Sequence, residues 1–127
     1  MGLDYEKRDG VAYITLNNPA KANILDKRMS DDISAAWIDL WEDRSIRCAI
    51  LTGAGGTFCT GMDLKAVGGG DRSDEIKQRM ADDPDLHWKA LLRHYSLKKP
   101  LIAAVEGWAV AGGTEILQAT DIRVAGE

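Results

Sequence analysis

KPLIAAVEGWAVAGGTEILQATDIRVA, residues Lys99 to Ala125, is the stretch from which the fold is read. After Pro100, the apolar run Leu101 to Val105 suits a short buried strand. Small residues follow: Gly107, Ala109, Ala111, Gly112 and Gly113. From Thr114, the run Glu115-Ile116-Leu117-Gln118-Ala119 opens a helix. A strand that feeds a tight glycine turn into a helix leaves backbone N–H groups unpaired at the turn. Those groups attract negative charge, because a helix N-terminus carries partial positive charge. Glu115 lies in the first turn. The segment reads as a site for an oxyanion with an acid/base group beside it.

Working outward, Trp88, Leu91, Leu92 and Tyr95 fall at i, i+3, i+4 and i+7 and predict a helix. Pro100 ends it, and Lys98 and Lys99 stand at its C-terminal end, where positive charge is favoured. Before it, Asp74 caps a short helix to Met80, stopped near Pro84, and Gly68-Gly69-Gly70 reads as a flexible loop. Phe58 to Lys65 is a second strand-to-loop-to-helix passage with Gly61 at the bend. It follows a buried strand, Arg47 to Thr52, and the turn Gly53-Ala54-Gly55-Gly56. Asp26 caps a helix whose apolar stripe is Met29, Ile33, Ala36, Trp37, Leu40 and Trp41. At the N-terminus, Leu3 to Arg8 and Val11 to Leu16 flank Asp9-Gly10, which suits a type I′ hairpin turn. The order is ββαβαα(βα)β, an α/β layer architecture.

The 127 residues fit one domain or a piece of a larger one. At 45% hydrophobic and 28% charged the composition is globular. A net charge of −4 without a long basic run argues against nucleic-acid and anionic-membrane partners. No apolar run is long enough to span a bilayer, and no apolar leader precedes Asp4. Cys48 and Cys59 read as free thiols of a reducing compartment, so the expected location is cytoplasmic.

Several chemistries lack their residues. Gly53-x-Gly55 would need a glycine at 58 for a dinucleotide loop, where Phe58 stands. Gly61 is followed by Met62-Asp63, not by the Lys-Ser/Thr of a P-loop. His87 and His94 have no further ligands at metal spacing, so no metal is expected, and no Gly-x-Ser-x-Gly elbow occurs. The two glycine turns suit an oxyanion hole, which needs two N–H donors converging on one developing charge. They equally suit tight turns and close helix–sheet packing, and spacing does not choose. Glu115 has the same two readings, since a first-turn carboxylate stabilises a helix by about 0.3–1 kcal/mol.

A resemblance to a known family does choose. Phe58-Cys59-Thr60-Gly61-Met62-Asp63-Leu64 resembles the F-x-A-G-x-D-[LI] motif of the enoyl-CoA hydratase/isomerase, or crotonase, family. Lys99 to Glu115 is similar to its K-P-x-I-A-A-V-x-G-x-A-x-G-G-G-x-E segment. Asn18-Pro19-Ala20-Lys21-Ala22-Asn23 resembles its N-R-P-x-x-x-N stretch. The likeness runs in order along nearly the whole chain. It implies a crotonase-like spiral of ββα units, of the ClpP/crotonase type, with residues 1–127 as the N-terminal part of one acyl-CoA-binding domain.

The resemblance also implies roles. The amides of Met62 and Gly112 would form the oxyanion hole for a thioester oxygen. Thr60, Asp63, Leu64 and Lys65 would line the coenzyme A portion, and Lys21 and Ala22 would flank its nucleotide. Glu115 would share the acid/base work. Coenzyme A enters as part of the substrate, and no separate cofactor is expected. Ala111 replaces the first glycine of G-G-G, while the donor position, Gly112, is kept. The family's second catalytic glutamate lies about twenty residues beyond the first, whereas this chain stops twelve residues after Glu115. It therefore looks like an N-terminal half, cut before the C-terminal helices that build trimers and hexamers, and is expected to be inactive by itself. The implied reaction is hydration of a 2-enoyl-CoA in β-oxidation. The alternatives are isomerisation, thioester hydrolysis or decarboxylation within the family, or an acyl-CoA-binding module without chemistry.

Overall fold

Asp9 and Gly10 both adopt positive φ, 52° and 80°, as a type I′ turn requires. They join β1 (Gly2–Arg8) to β2 (Val11–Asn17) in an antiparallel hairpin with Arg8 opposite Val11. The computed structural model describes residues 2–63, 86–93 and 95–127. Leu64, Lys65, the glycine run, the helix expected at 74–80, His94 and the side chain of His87 lie outside the described residues. Along β2, Ala12, Ile14 and Leu16 are buried and alternate with half-buried Val11, Tyr13 and Thr15. This is the period of a strand covered on one face.

β3 (Cys48–Gly53), β4 (Leu101–Val105) and β5 (Ile122–Ala125) add in parallel, giving the sheet order β1-β2-β3-β4-β5. A parallel neighbour needs a crossover connection. Between β2 and β3 that crossover is α1 (Lys27–Glu42), which packs back on the hairpin. The Asp26 carboxylate accepts from the Met29 N–H at 2.8 Å, the cap expected from sequence. Met29, Ile33, Ala36, Trp37 and Leu40 are buried as the stripe predicts.

Trp41 departs from that stripe, being 52% exposed. The cause lies in the facing segment. The helix expected to run through Tyr95 is only α2 (Leu86–Ala90). It ends in a Schellman motif: the Leu92 N–H reaches the Lys89 carbonyl, the Arg93 N–H reaches the Trp88 carbonyl, and Leu92 takes φ 54°. Trp37, whose indole N–H donates to the Ala90 carbonyl at 3.1 Å, is covered; Trp41 lies past the end of α2. An apolar groove of about 400 Å³ over Trp37, Ile38 and Trp41 results. Lys99 is likewise redirected. Its ammonium donates to the Leu40 carbonyl and, at 2.6 Å, to that of Asp43, so it serves the C-terminus of α1. Among the described residues no helix is long and apolar enough to cross a membrane.

The hairpin is tied to α1 by a charged cluster. Lys7 Nζ lies 2.6 Å from Asp39 and 2.7 Å from Asp43, and the Tyr5 hydroxyl donates to Asp39 at 2.8 Å. Hydrogen bonding to Lys7 holds both carboxyls below the usual carboxylate range, with Tyr5 adding to it at Asp39 and Ser45 at Asp43. The same contacts raise Lys7, and partial burial followed by the Asp39 bond raises Tyr5. Depressed carboxyls stabilise the fold above their unfolded pKa of about 4, and that contribution disappears as pH falls through their folded values. Raised Lys7 and Tyr5 stabilise it below about 10 and lose this as pH climbs through theirs. The gap in urea midpoint between wild type and Lys7→Met is thus expected to be open at neutral pH and to close in acid. A pH-independent gap would remove the electrostatic assignment.

Candidate active site

The two glycine turns meet in a small layer beside the main sheet. Residues 58–62 run between 108–110 on one side and 22–25 on the other. Cys59 bridges Ala109 in parallel, and Met62 bridges Leu25. The Trp108 carbonyl accepts from the amides of Phe58 and Cys59, both at 3.1 Å, and the Val110 N–H returns to the Cys59 carbonyl at 3.1 Å. Gly61 faces Gly112 so closely that a Cβ on Gly61 would lie 2.8 Å from the Gly112 nitrogen. Only glycine permits this approach. Burial pushes the Cys59 thiol up against an opposing backbone hydrogen bond, which makes it an apolar filler rather than a nucleophile.

The carbonyls of the two expected donor peptides are both engaged. The Gly61 carbonyl accepts from the Leu25 N–H at 2.7 Å, and the Ala111 carbonyl accepts from the Glu115 N–H at 3.0 Å. Because a trans peptide places its C=O and N–H on opposite sides, each such bond aims the partner N–H, of Met62 or of Gly112, the other way. It also polarises the peptide and strengthens the donor. Among the described residues neither amide makes a backbone hydrogen bond. The helix that begins here, α3 (Gly112–Gln118), starts two residues earlier than its sequence suggests. It spans only seven residues, so two aimed amides count for more here than a macrodipole.

Ala111 precedes the Gly112 amide at φ 49°, ψ −121°, a region natural to glycine. Relief of that strain outweighs the extra freedom that glycine gives the unfolded chain. Ala111→Gly is expected to raise stability by about 1 kcal/mol, read from the urea midpoint.

Glu115 is exposed one turn into α3 and lines an open cleft of about 370 Å³ with Leu91, Leu92, Arg93, Gln118 and Ala119. The Thr60 hydroxyl, whose residue the resemblance assigns to the coenzyme A portion, donates to the Ala22 carbonyl at 2.9 Å. Lys21 is exposed and ends a 3-10 turn from Pro19, with Ala22 left-handed at φ 52°. Asp63 is half-buried beyond Met62.

The residue whose role sequence reasoning missed is Asn23. It is fully buried, its Oδ1 accepts from the Asn18 N–H at 2.7 Å, and its Nδ2 donates to the carbonyls of Ala54 (3.0 Å) and Thr57 (2.7 Å). One carboxamide thus fastens the loop of residues 18–23 to the turn after β3. The available signal was an asparagine two residues before a core leucine, with Asn18-Pro19 marking a turn.

Comparison with known proteins gives the family. A sequence model described as enoyl-CoA hydratase/isomerase matches residues 6–127. The enoyl-CoA hydratase EchA19 of Mycobacterium tuberculosis is 51% identical over 96% of this chain and 45% of its own length. The (E)-benzylidenesuccinyl-CoA hydratase of Thauera aromatica is 40% identical over 98% of this chain and 47% of its own length. The crystal structure of the enoyl-CoA hydratase EchA1 from Mycobacterium marinum superposes with a TM-score of 0.77 at 40% identity, over 97% of this chain and 45% of that one. The chain spans about half the length of the curated relatives it matches. The crotonase-like α/β fold expected from the motifs is therefore present over this part. With that family model matching residues 6–127, the chain belongs to the enoyl-CoA hydratase/isomerase family.

Proposed function

We propose that this chain binds an acyl-coenzyme A thioester and polarises its carbonyl between the amides of Met62 and Gly112, the activation on which hydration of a 2-enoyl-CoA depends. The observation that supports it most is the contact of the Gly61 and Gly112 backbones, with the carbonyl of each donor peptide held from behind. When water adds at C3 of the enoyl group, charge develops on the thioester oxygen. Preformed donors aimed at that oxygen contribute about 2.7–4 kcal/mol each in comparable sites. Glu115, exposed one turn from Gly112, is suited by that spacing to orient and deprotonate the water; the cleft it lines includes neither Met62 nor Gly112 among the described residues. A second carboxylate returns a proton to C2, a role for which the resemblance names no residue among these 127. Lys21, Ala22, Thr60 and Asp63, with Leu64 and Lys65, receive the coenzyme A portion on this reading. A cytoplasmic homo-oligomer goes with it.

The test is spectroscopic. Hydrogen bonds to the carbonyl of a conjugated 2-enoyl-CoA lower its excited state, so binding should move the absorption band to longer wavelength. The shift needs only the two amides and should persist in Glu115→Gln, whereas bleaching of the band needs the acid/base pair. A bound thioester with an unmoved band would overturn the oxyanion assignment.

A further inference from the structure

We propose that the Thr60 hydroxyl is a positioning group, coupling the loop at Lys21–Ala22 to the Met62 amide so that ligand contact at one end steadies the donor at the other. The inference rests on the thioester reading above and extends it to communication within the site. The loop of residues 22–25 is attached to the donor strand at two successive residues. The Leu25 N–H holds the Gly61 carbonyl at 2.7 Å, and the Thr60 Oγ1 holds the Ala22 carbonyl at 2.9 Å. One hydrogen bond leaves a pivot about which the loop can turn. Two bonds from neighbouring residues remove that rotation. The Gly61–Met62 peptide then follows the loop as a unit, and the direction of the Met62 N–H depends on where Ala22 sits.

Asn23, the residue after Ala22, is fixed by its carboxamide to Asn18, Ala54 and Thr57. With that anchor on one side, a shift of the Lys21–Ala22 turn bears on Thr60 rather than spreading along the rest of the loop. Ala22 itself is left-handed, φ 52°, a conformation that an alanine holds only when its surroundings oblige it. The F-x-A-G-x-D-[LI] motif that residues 58–64 resemble has alanine at the position of Thr60, a side chain that has no hydroxyl for the second tie.

Coupling between two contacts is a reciprocal free energy and can be measured with the ligand cut in two. The probes are 3′-phospho-ADP, for the nucleotide end, and a saturated S-acyl pantetheine, for the thioester end. In the wild-type chain, saturating nucleotide is expected to tighten pantetheine-thioester binding about three- to tenfold by calorimetry, the range of one hydrogen bond. Thr60→Ala should bring that factor to about one, and Thr60→Ser should restore it. A role in packing alone would leave the factor unchanged. Because alanine is the residue of the family motif, the fold accepts Thr60→Ala, and an urea midpoint checks it. In wild type, the Met62 amide resonance should also move when the nucleotide alone is added. Two pieces that bind without mutual enhancement, or an enhancement that survives Thr60→Ala, would overturn the coupling. Failure of the wild type to bind the thioester piece would overturn the thioester reading itself, and the coupling with it.

Discussion

Gly61→Ala is expected to weaken thioester binding some thirty- to a hundredfold and to abolish the long-wavelength shift of a bound enoyl-CoA. Two effects combine. Gly61 sits at φ 89°, where an L side chain adds about 1–2 kcal/mol of backbone strain. The new methyl would also lie 2.8 Å from both the Gly112 nitrogen and the Ala111 Cβ. Neither neighbour is the flexible end of a long side chain, so the two segments must part. On the proposed reading, the Met62 and Gly112 amides would then no longer converge on one oxygen, and losing both hydrogen bonds costs about 2–3 kcal/mol of binding. Fold stability should fall by a comparable amount, so affinity is measured below the unfolding transition. An affinity and spectrum matching wild type would mean that these amides do not hold the carbonyl.

The second large effect belongs to Asn23. Replacement by alanine leaves the Asn18 N–H and the carbonyls of Ala54 and Thr57, all half-buried, without the fully buried carboxamide that joins them. Each such orphan costs about 1–3 kcal/mol, and partial relaxation brings the expected total to about 3–5 kcal/mol. Asn23→Asp keeps the acceptor for Asn18 but turns a carboxylate toward two carbonyl oxygens, so it should be no milder. Urea unfolding gives the magnitude. Losses under 1 kcal/mol in both variants would show that water replaces the carboxamide.

The hairpin, the Asp26 cap and the buried positions from Met29 to Leu40 follow from local rules: a two-residue turn with positive φ, a side-chain acceptor before a helix, and a period of 3.6. Each needs only a handful of adjacent residues. The strand at Leu101–Val105 was equally legible, because an apolar run bounded by Pro100 and Gly107 has few other uses. The helix through Tyr95 was misread for the same reason. Its spacing is helical, but Leu92 is buried in a left-handed turn that burial sustains and periodicity cannot see. Trp41 fits the periodicity of its own helix yet is 52% exposed, because α2 ends at Ala90.

The site divides along the same line. Motif residues in order along the chain determined the family, the element order and the candidate donors, because those depend on residue identity and neighbours in sequence. Only the folded chain decided that Gly61 touches Gly112, that Leu25 and Glu115 hold the two donor peptides from behind, and that Thr60 reaches Ala22 across 38 residues. Hydrogen-bond direction is set by whichever segment packs alongside. That neighbour is chosen by sheet topology and core packing, which no local pattern encodes.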